Sequence, residues 1–207
     1  NLYYLFLIIL IVPNIVLCFT EPMPLVAKVC NVLLPFSIYH MIMSWSGNCG
    51  KTFWILFPFL FFGAFQIVLL YLFGQSVIAV DMFLNLVTTN PGEALELLDN
   101  LIPAIIIVVL LYIPALVLAA VAVSKKRRLS ETLVRRERKR ARITVIAGIL
   151  SLVAAYLFDA RYELKSDLYP ANVCYNIALA FQRTAQTQHY AETSKDFTFQ
   201  AKTTRPE

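Results

Sequence analysis

The sequence predicts an all-α, polytopic membrane protein: five transmembrane helices with amphipathic helices at the outer face. Three observations carry this. Hydrophobic residues make up 59% of the 207 and charged residues only 15%, too little charge to cover a soluble surface. The apolar residues gather into runs of about 20, the length that crosses a hydrocarbon core of roughly 30 Å. The runs are near-continuous and do not alternate, which favours helices over a barrel.

The runs fall at about 2–20, 24–44, 53–74, 101–123 and 142–158, so residues 1–158 read as a five-span membrane domain. Pro13, Pro35, Pro58 and Pro114 lie inside these runs. In a membrane helix proline is tolerated as a kink where neighbours satisfy the freed carbonyl. The first run follows Asn1 and not a start methionine, which predicts that the natural N-terminus lies upstream. No small-residue cleavage site follows this run and more spans do, so it reads as a span and not as a signal peptide.

Basic residues set the orientation. The stretch from Lys125 through Arg128 and from Arg135 to Arg142 holds more than half of the 18 Lys and Arg. The 124–142 loop is therefore expected on the cytoplasmic side, with the short Gly47–Lys51 loop and the N-terminus. The segment after the third run carries Asp81, Glu93, Glu96 and Asp99 and no basic residue, so 75–100 and 159–207 are expected outside. A net charge of +5 is thus accounted for by topology. It is no sign of nucleic-acid binding, although the basic stretch is compatible with anionic lipid headgroups.

Cys18, Cys30, Cys49 and Cys174 show no CxxC spacing, so neither a zinc knuckle nor a disulfide framework is indicated. On this topology Cys18 and Cys174 form the one permitted oxidised pair.

Residues 159–207 read as a periplasmic interfacial helix and a linker. Asp159 to Tyr162 marks the exit from the last span. Tyr169-Pro170-Ala171-Asn172 reads as a helix start. The run from Val173 to Gln182 is amphipathic, with Val173, Ile177, Ala180 and Phe181 on one side. From Gln186 the chain turns polar and resembles an extended connector toward a further domain.

Between the third and fourth runs stands a polar ladder, Asn85, Thr89 and Glu93, spaced four apart. On a continuous helix this spacing forms one stripe. A local role exists: Asn90 suits an N-cap, Pro91 the first helical position, and Glu93 the third, as in a capping box. That leaves Asn85 and Thr89 unexplained. The chemical alternative is a headgroup site. Glu93 would face an ammonium group while Asn85 and Thr89 bond to polar headgroup atoms. Lys28, one turn into the second run, snorkels to the interface; contact with a lipid phosphate is the sharper reading. His40 reads as a packed or interfacial histidine, His189 as solvated, and Trp45, Trp54 and Tyr112 as interface or packing aromatics. Gln66 and Gln75 are candidates for bonds between helices.

The pattern Asn85-x-x-x-Thr89-x-x-x-Glu93-Ala94, placed between a third and a fourth span, resembles the membrane domain of the phosphoethanolamine transferases. These are the lipid A-modifying and mobile colistin-resistance type enzymes. The likeness extends to five spans, a basic loop between spans four and five, and an outer linker with an amphipathic helix. It implies a bacterial inner-membrane protein, N-terminus cytoplasmic and C-terminus periplasmic. Asn85, Thr89 and Glu93 would help bind the phosphatidylethanolamine donor, and lipid A or another glycan would be the acceptor. The family's chemistry resides in an outer domain of the alkaline-phosphatase type, with zinc and a threonine nucleophile. Its Gly-Glu-Thr or Gly-Glu-Ser segment would begin just beyond Glu207. Residues 1–207 contain no such constellation, so no catalytic residue, no metal ligand and no cofactor is expected here, and the fragment alone should be inert.

Two rivals remain at this point. A lipoteichoic acid synthase-like glycerophosphate transferase shares the five-span plan, but the ladder favours the first reading. A non-enzymatic transporter or sensor anchor is the other. Against a transporter, there is no inverted repeat and no pair of broken helices; against a sensor, the continuation lies outside.

Overall fold

The computed structural model describes residues 2–73 and 91–194, and all regular structure there is helical. The helices are α1 (Leu2–Thr20), α2 (Leu25–Trp45), α3 (Cys49–Ile55), α4 (Phe57–Phe73), α5 (Pro91–Ser124), α6 (Glu131–Phe158), α7 (Leu164–Asp167) and α8 (Ala171–Ser194). Four of these are long and apolar enough to cross a membrane, or five if α3 and α4 count as one bent span.

Two helix pairs build the bundle. α2 packs along α6, α3 and α4 pack against α5, and α1 sits between the pairs. Small residues let the backbones approach, as is common where apolar lipid provides no hydrophobic drive. A Cβ on Gly148 would stand 2.6 Å from the Ser37 hydroxyl, and one on Gly50 would stand 2.6 Å from the Ala119 carbonyl oxygen. The shared core joins Tyr3, Phe6 and Leu10 of α1 to Met43, Phe53, Tyr112 and Ala119, with Phe6 and Phe53 stacked at 4.3 Å. The outward faces are apolar as well: Ile106, Leu110 and Val117 of α5 and Ile146, Leu150 and Leu157 of α6 are exposed. In water such a belt would be an aggregation patch; against lipid it is the expected surface.

Three elements depart from the boundaries expected from hydropathy. The third run is not one straight span: α3 and α4 meet at Leu56 with a bend of 61°. Pro58 has no N–H to donate back to Trp54. The Leu56 N–H closes α3 on the Thr52 and Trp54 carbonyls, and Pro58 then falls in the first turn of α4, where its missing donor costs nothing. The basic stretch is not a loop over 124–142. Only residues 125–130 connect, and the rest is the start of α6. Ser130 caps that helix by accepting from the Leu133 N–H at 3.3 Å, with Glu131 in the first turn. The amphipathic tail helix does not stop near Gln182; α8 runs on to Ser194, because the polar residues after Gln186 include no helix breaker before that point.

At 34 residues, α5 is about 51 Å long. That exceeds the roughly 30 Å hydrocarbon core, so it extends beyond the bilayer.

Candidate functional site

Asn85 and Thr89 lie outside the described residues, as does the side chain of Glu93. The backbone of Glu93 is described: it stands in the first turn of α5, which begins at Pro91. Lys28 is in the first turn of α2, half-buried, with no ion-pair partner among the described residues. It sits one turn before Asn31, which anchors the described part of this end of the bundle.

There two buried asparagines grip the segment between α6 and α8. Asn31 donates to the Asp167 carbonyl at 2.7 Å, and its amide oxygen accepts from the Tyr162 hydroxyl at 2.9 Å. Asn14, on α1, donates to the Tyr169 carbonyl at 2.8 Å. The Tyr169 hydroxyl in turn donates to the Phe59 carbonyl at 2.5 Å, a carbonyl near the α3–α4 break. Burial pushes the Tyr162 and Tyr169 phenols well above their ordinary range, so both remain neutral donors. Around this corner several polar atoms have no hydrogen-bond partner among the described residues: Asn14 Oδ1, the Tyr39 and Tyr112 hydroxyls, and both amide atoms of Asn172. The Tyr112 and Tyr169 hydroxyls each lie 3.1 Å from where a Gly63 Cβ would stand. The buried side chains of this corner are neutral polar groups, with Glu163, Lys165 and Asp167 on the exposed segment beside them. The buried groups suit hydrogen bonding to a neutral or zwitterionic group, and they include no acid–base pair.

At the opposite end the buried polar group is a carboxylate. Glu137, one turn and a half into α6, is only 1% exposed. Its Oε1 accepts from the Tyr4 hydroxyl at 2.8 Å, from Arg140 at 3.0 Å and from Arg136 at 3.1 Å. His40 Nε2 stands 3.5 Å from Oε2 without hydrogen-bond geometry, and Thr144 meets the other imidazole nitrogen at 3.4 Å. His40 is thus the packed histidine expected, with an unforeseen carboxylate neighbour.

Sequence reasoning missed Glu137, Asn14 and Asn31. The signals were present. A lone acid inside a dense basic run, and amides inside apolar runs, are costly unless paired.

Among the described residues no group of three or more His, Cys, Asp or Glu could hold a metal ion. Zinc chemistry therefore has no seat in the described part of this chain.

A family model for phosphoethanolamine transferase EptA/EptB matches residues 51–185, well over half of the chain. The chain belongs to the phosphoethanolamine transferase EptA/EptB family. The matched region is the family's N-terminal membrane domain, which selects the first of the three readings drawn from the sequence. Within it lie the α3–α4 break, the ladder, the basic start of α6 and the Tyr169 corner. No curated protein and no solved structure matches the chain.

Proposed function

We propose that this chain is the membrane domain of a phosphoethanolamine transferase that anchors the enzyme in a bacterial inner membrane and helps bind phosphatidylethanolamine. The phosphoethanolamine unit would pass to lipid A or another glycan. The family match is the observation that carries this reading; the ladder supplies the residues. Glu93 meets the headgroup ammonium, Asn85 and Thr89 bond to its polar atoms, and Lys28 is placed to meet a lipid phosphate. The start of α5 at Pro91 supports a capping role for Glu93 beside this one, since a carboxylate in the first turn also favours the helix dipole. Zinc and the nucleophile belong, by family resemblance, to the outer catalytic domain, and no step of that chemistry falls to residues described here.

The test is Glu93→Gln in the full-length enzyme. Glutamine keeps the shape and can still cap, but it removes the charge facing the ammonium group. Losing one charge-assisted hydrogen bond is worth about 1.5–3 kcal/mol, so transfer should fall about 10- to 100-fold while thermal unfolding changes little. Normal turnover in both Glu93→Gln and Thr89→Ala leaves only the capping role and ends the headgroup assignment.

Orientation is testable separately. With the basic end cytoplasmic, a cysteine placed at Ser130 should resist an impermeant reagent in intact cells, while the exposed Cys174 should react. Labelling at position 130 reverses the topology.

A further inference from the structure

The connector between α5 and α6 is more tightly built than a topology loop requires. α5 ends with Lys126 at a φ of +49°, a left-handed conformation that favours glycine. The Lys126 N–H donates to the Val123 carbonyl and the Arg127 N–H to the Ala122 carbonyl, both at 2.9 Å. This is the paired closure of a Schellman turn, with lysine where glycine is usual. Two residues on, the Leu129 N–H donates to the Gly47 carbonyl at 2.8 Å, which ties the connector to the α2–α3 loop. Ser130 then caps α6. Arg127 and Arg128 are therefore bracketed by backbone anchors on both sides.

These two arginines border a cavity of about 600 Å³, whose other walls include Leu2 and Leu5 of α1, Cys49 of α3 and Leu129. That volume lies within the range of small-molecule sites. Among the described residues neither arginine has an ion-pair partner. Of the acids at this end, Glu137 is already taken by Arg136 and Arg140, and Glu131, in the first turn of α6, is in no ion pair among the described residues. Two exposed arginines on a fixed turn, with no ion-pair partner among the described residues and with leucines lining the same cavity, match a ligand with an anionic head and a hydrocarbon body. Guanidinium forks fit phosphate oxygens in pairs, and anionic lipids are concentrated where basic juxtamembrane residues sit.

We propose that this cavity binds the phosphate of an anionic lipid from the leaflet at the basic end, with Arg127 and Arg128 on the phosphate and Leu2 and Leu5 against the first part of the acyl chains. The site lies at the C-terminal end of α5, the opposite end of that helix from Glu93. It would hold the α1, α3 and α5 ends together through a lipid.

The test uses the full-length protein in nanodiscs of phosphatidylcholine with phosphatidylglycerol, and counts retained lipid by native mass spectrometry. Three variants are compared. Arg127→Gln with Arg128→Gln removes the proposed ligands. Arg135→Gln with Lys139→Gln removes equal charge from the exposed face of α6. Leu5→Trp fills the apolar wall and leaves the charge. Retention of phosphatidylglycerol should fall about tenfold further in the first pair than in the second. It should also fall in Leu5→Trp, and excess inorganic phosphate should not displace the lipid. Equal losses from the two pairs would mean diffuse attraction to the surface and would overturn the site. Retention unchanged in Leu5→Trp would overturn the acyl contact and with it the pocket. Displacement by inorganic phosphate would make free phosphate the ligand and would overturn the lipid assignment.

Discussion

At the basic end a buried carboxylate, Glu137, gathers Tyr4, His40, Arg136 and Arg140. At the other end two buried amides, Asn14 and Asn31, grip main-chain carbonyls of the segment between α6 and α8. Both arrangements fasten helix ends, but they differ in what they fix. Glu137 draws together side chains whose guanidinium heads are more than half exposed, so the partners can adjust and water screens much of the charge. The asparagines bind backbone, which cannot adjust without moving the chain. The amide bonds therefore tie the main chain itself just before α8 begins. The difference teaches where the main chain itself is held: at the end where α8 begins.

Breaking the amide clamp should have the largest effect. Asn31→Leu keeps the approximate shape but leaves the Asp167 carbonyl without its partner and the Tyr162 hydroxyl with only the weak Cys30 Sγ acceptor at 3.5 Å. Each unsatisfied buried group costs about 1–3 kcal/mol, so stability should drop by about 2–4 kcal/mol. Thermal unfolding in detergent measures this. A spin label on Cys174, exposed in the first turn of α8, should become more mobile. Unchanged mobility would mean that Asn31 does not set the path of α8.

Breaking the charged cluster should matter less. In Glu137→Gln the amide oxygen still accepts from Tyr4, and the exposed arginines recover water. After discounting for that screening, the loss should be about 1–2 kcal/mol. The label at Cys174 should not respond, since it sits at the far end. A larger loss than in Asn31→Leu would reverse the ranking of the two ends.

Hydropathy made the fold class legible because the bilayer demands long apolar runs whatever the packing. It could not show the bend at Leu56, which depends on how Pro58 is accommodated locally. Nor could it show that the basic stretch is helical. Charge marks a segment as outside the hydrocarbon, yet Arg, Lys and Glu are good helix formers, and Ser130 supplies the cap. The buried face of α6, with Glu137, Ala141, Gly148 and Ala155, follows helical spacing straight through the basic run into the apolar one. The ladder rests on its four-residue spacing and the family resemblance, since Asn85, Thr89 and the Glu93 side chain lie outside the described residues. The amides were visible as oddities in apolar runs, but their partners are backbone carbonyls more than 130 residues away. Composition carries no trace of a contact that distant.

The smallest effect is the one that defines the amide clamp most sharply. Asn172 is fully buried, and neither its amide oxygen nor its nitrogen has a hydrogen-bond partner among the described residues. If the clamp consists of the Asn14 and Asn31 bonds alone, Asn172→Leu removes no hydrogen bond and conserves apolar volume. Its stability should then stay within about 1 kcal/mol of the parent, or rise slightly, because an unpaired buried amide is relieved. The Cys174 label should be unmoved. A loss of about 2 kcal/mol or more would instead assign Asn172 a partner from outside the protein, an ordered water or a polar ligand atom, since only a satisfied amide costs that much to delete. The Tyr39 and Tyr112 hydroxyls, also unpaired, provide the control. Tyr112→Phe should then lose stability in the same sense if one bound group serves the whole corner, and should be neutral if the corner is dry.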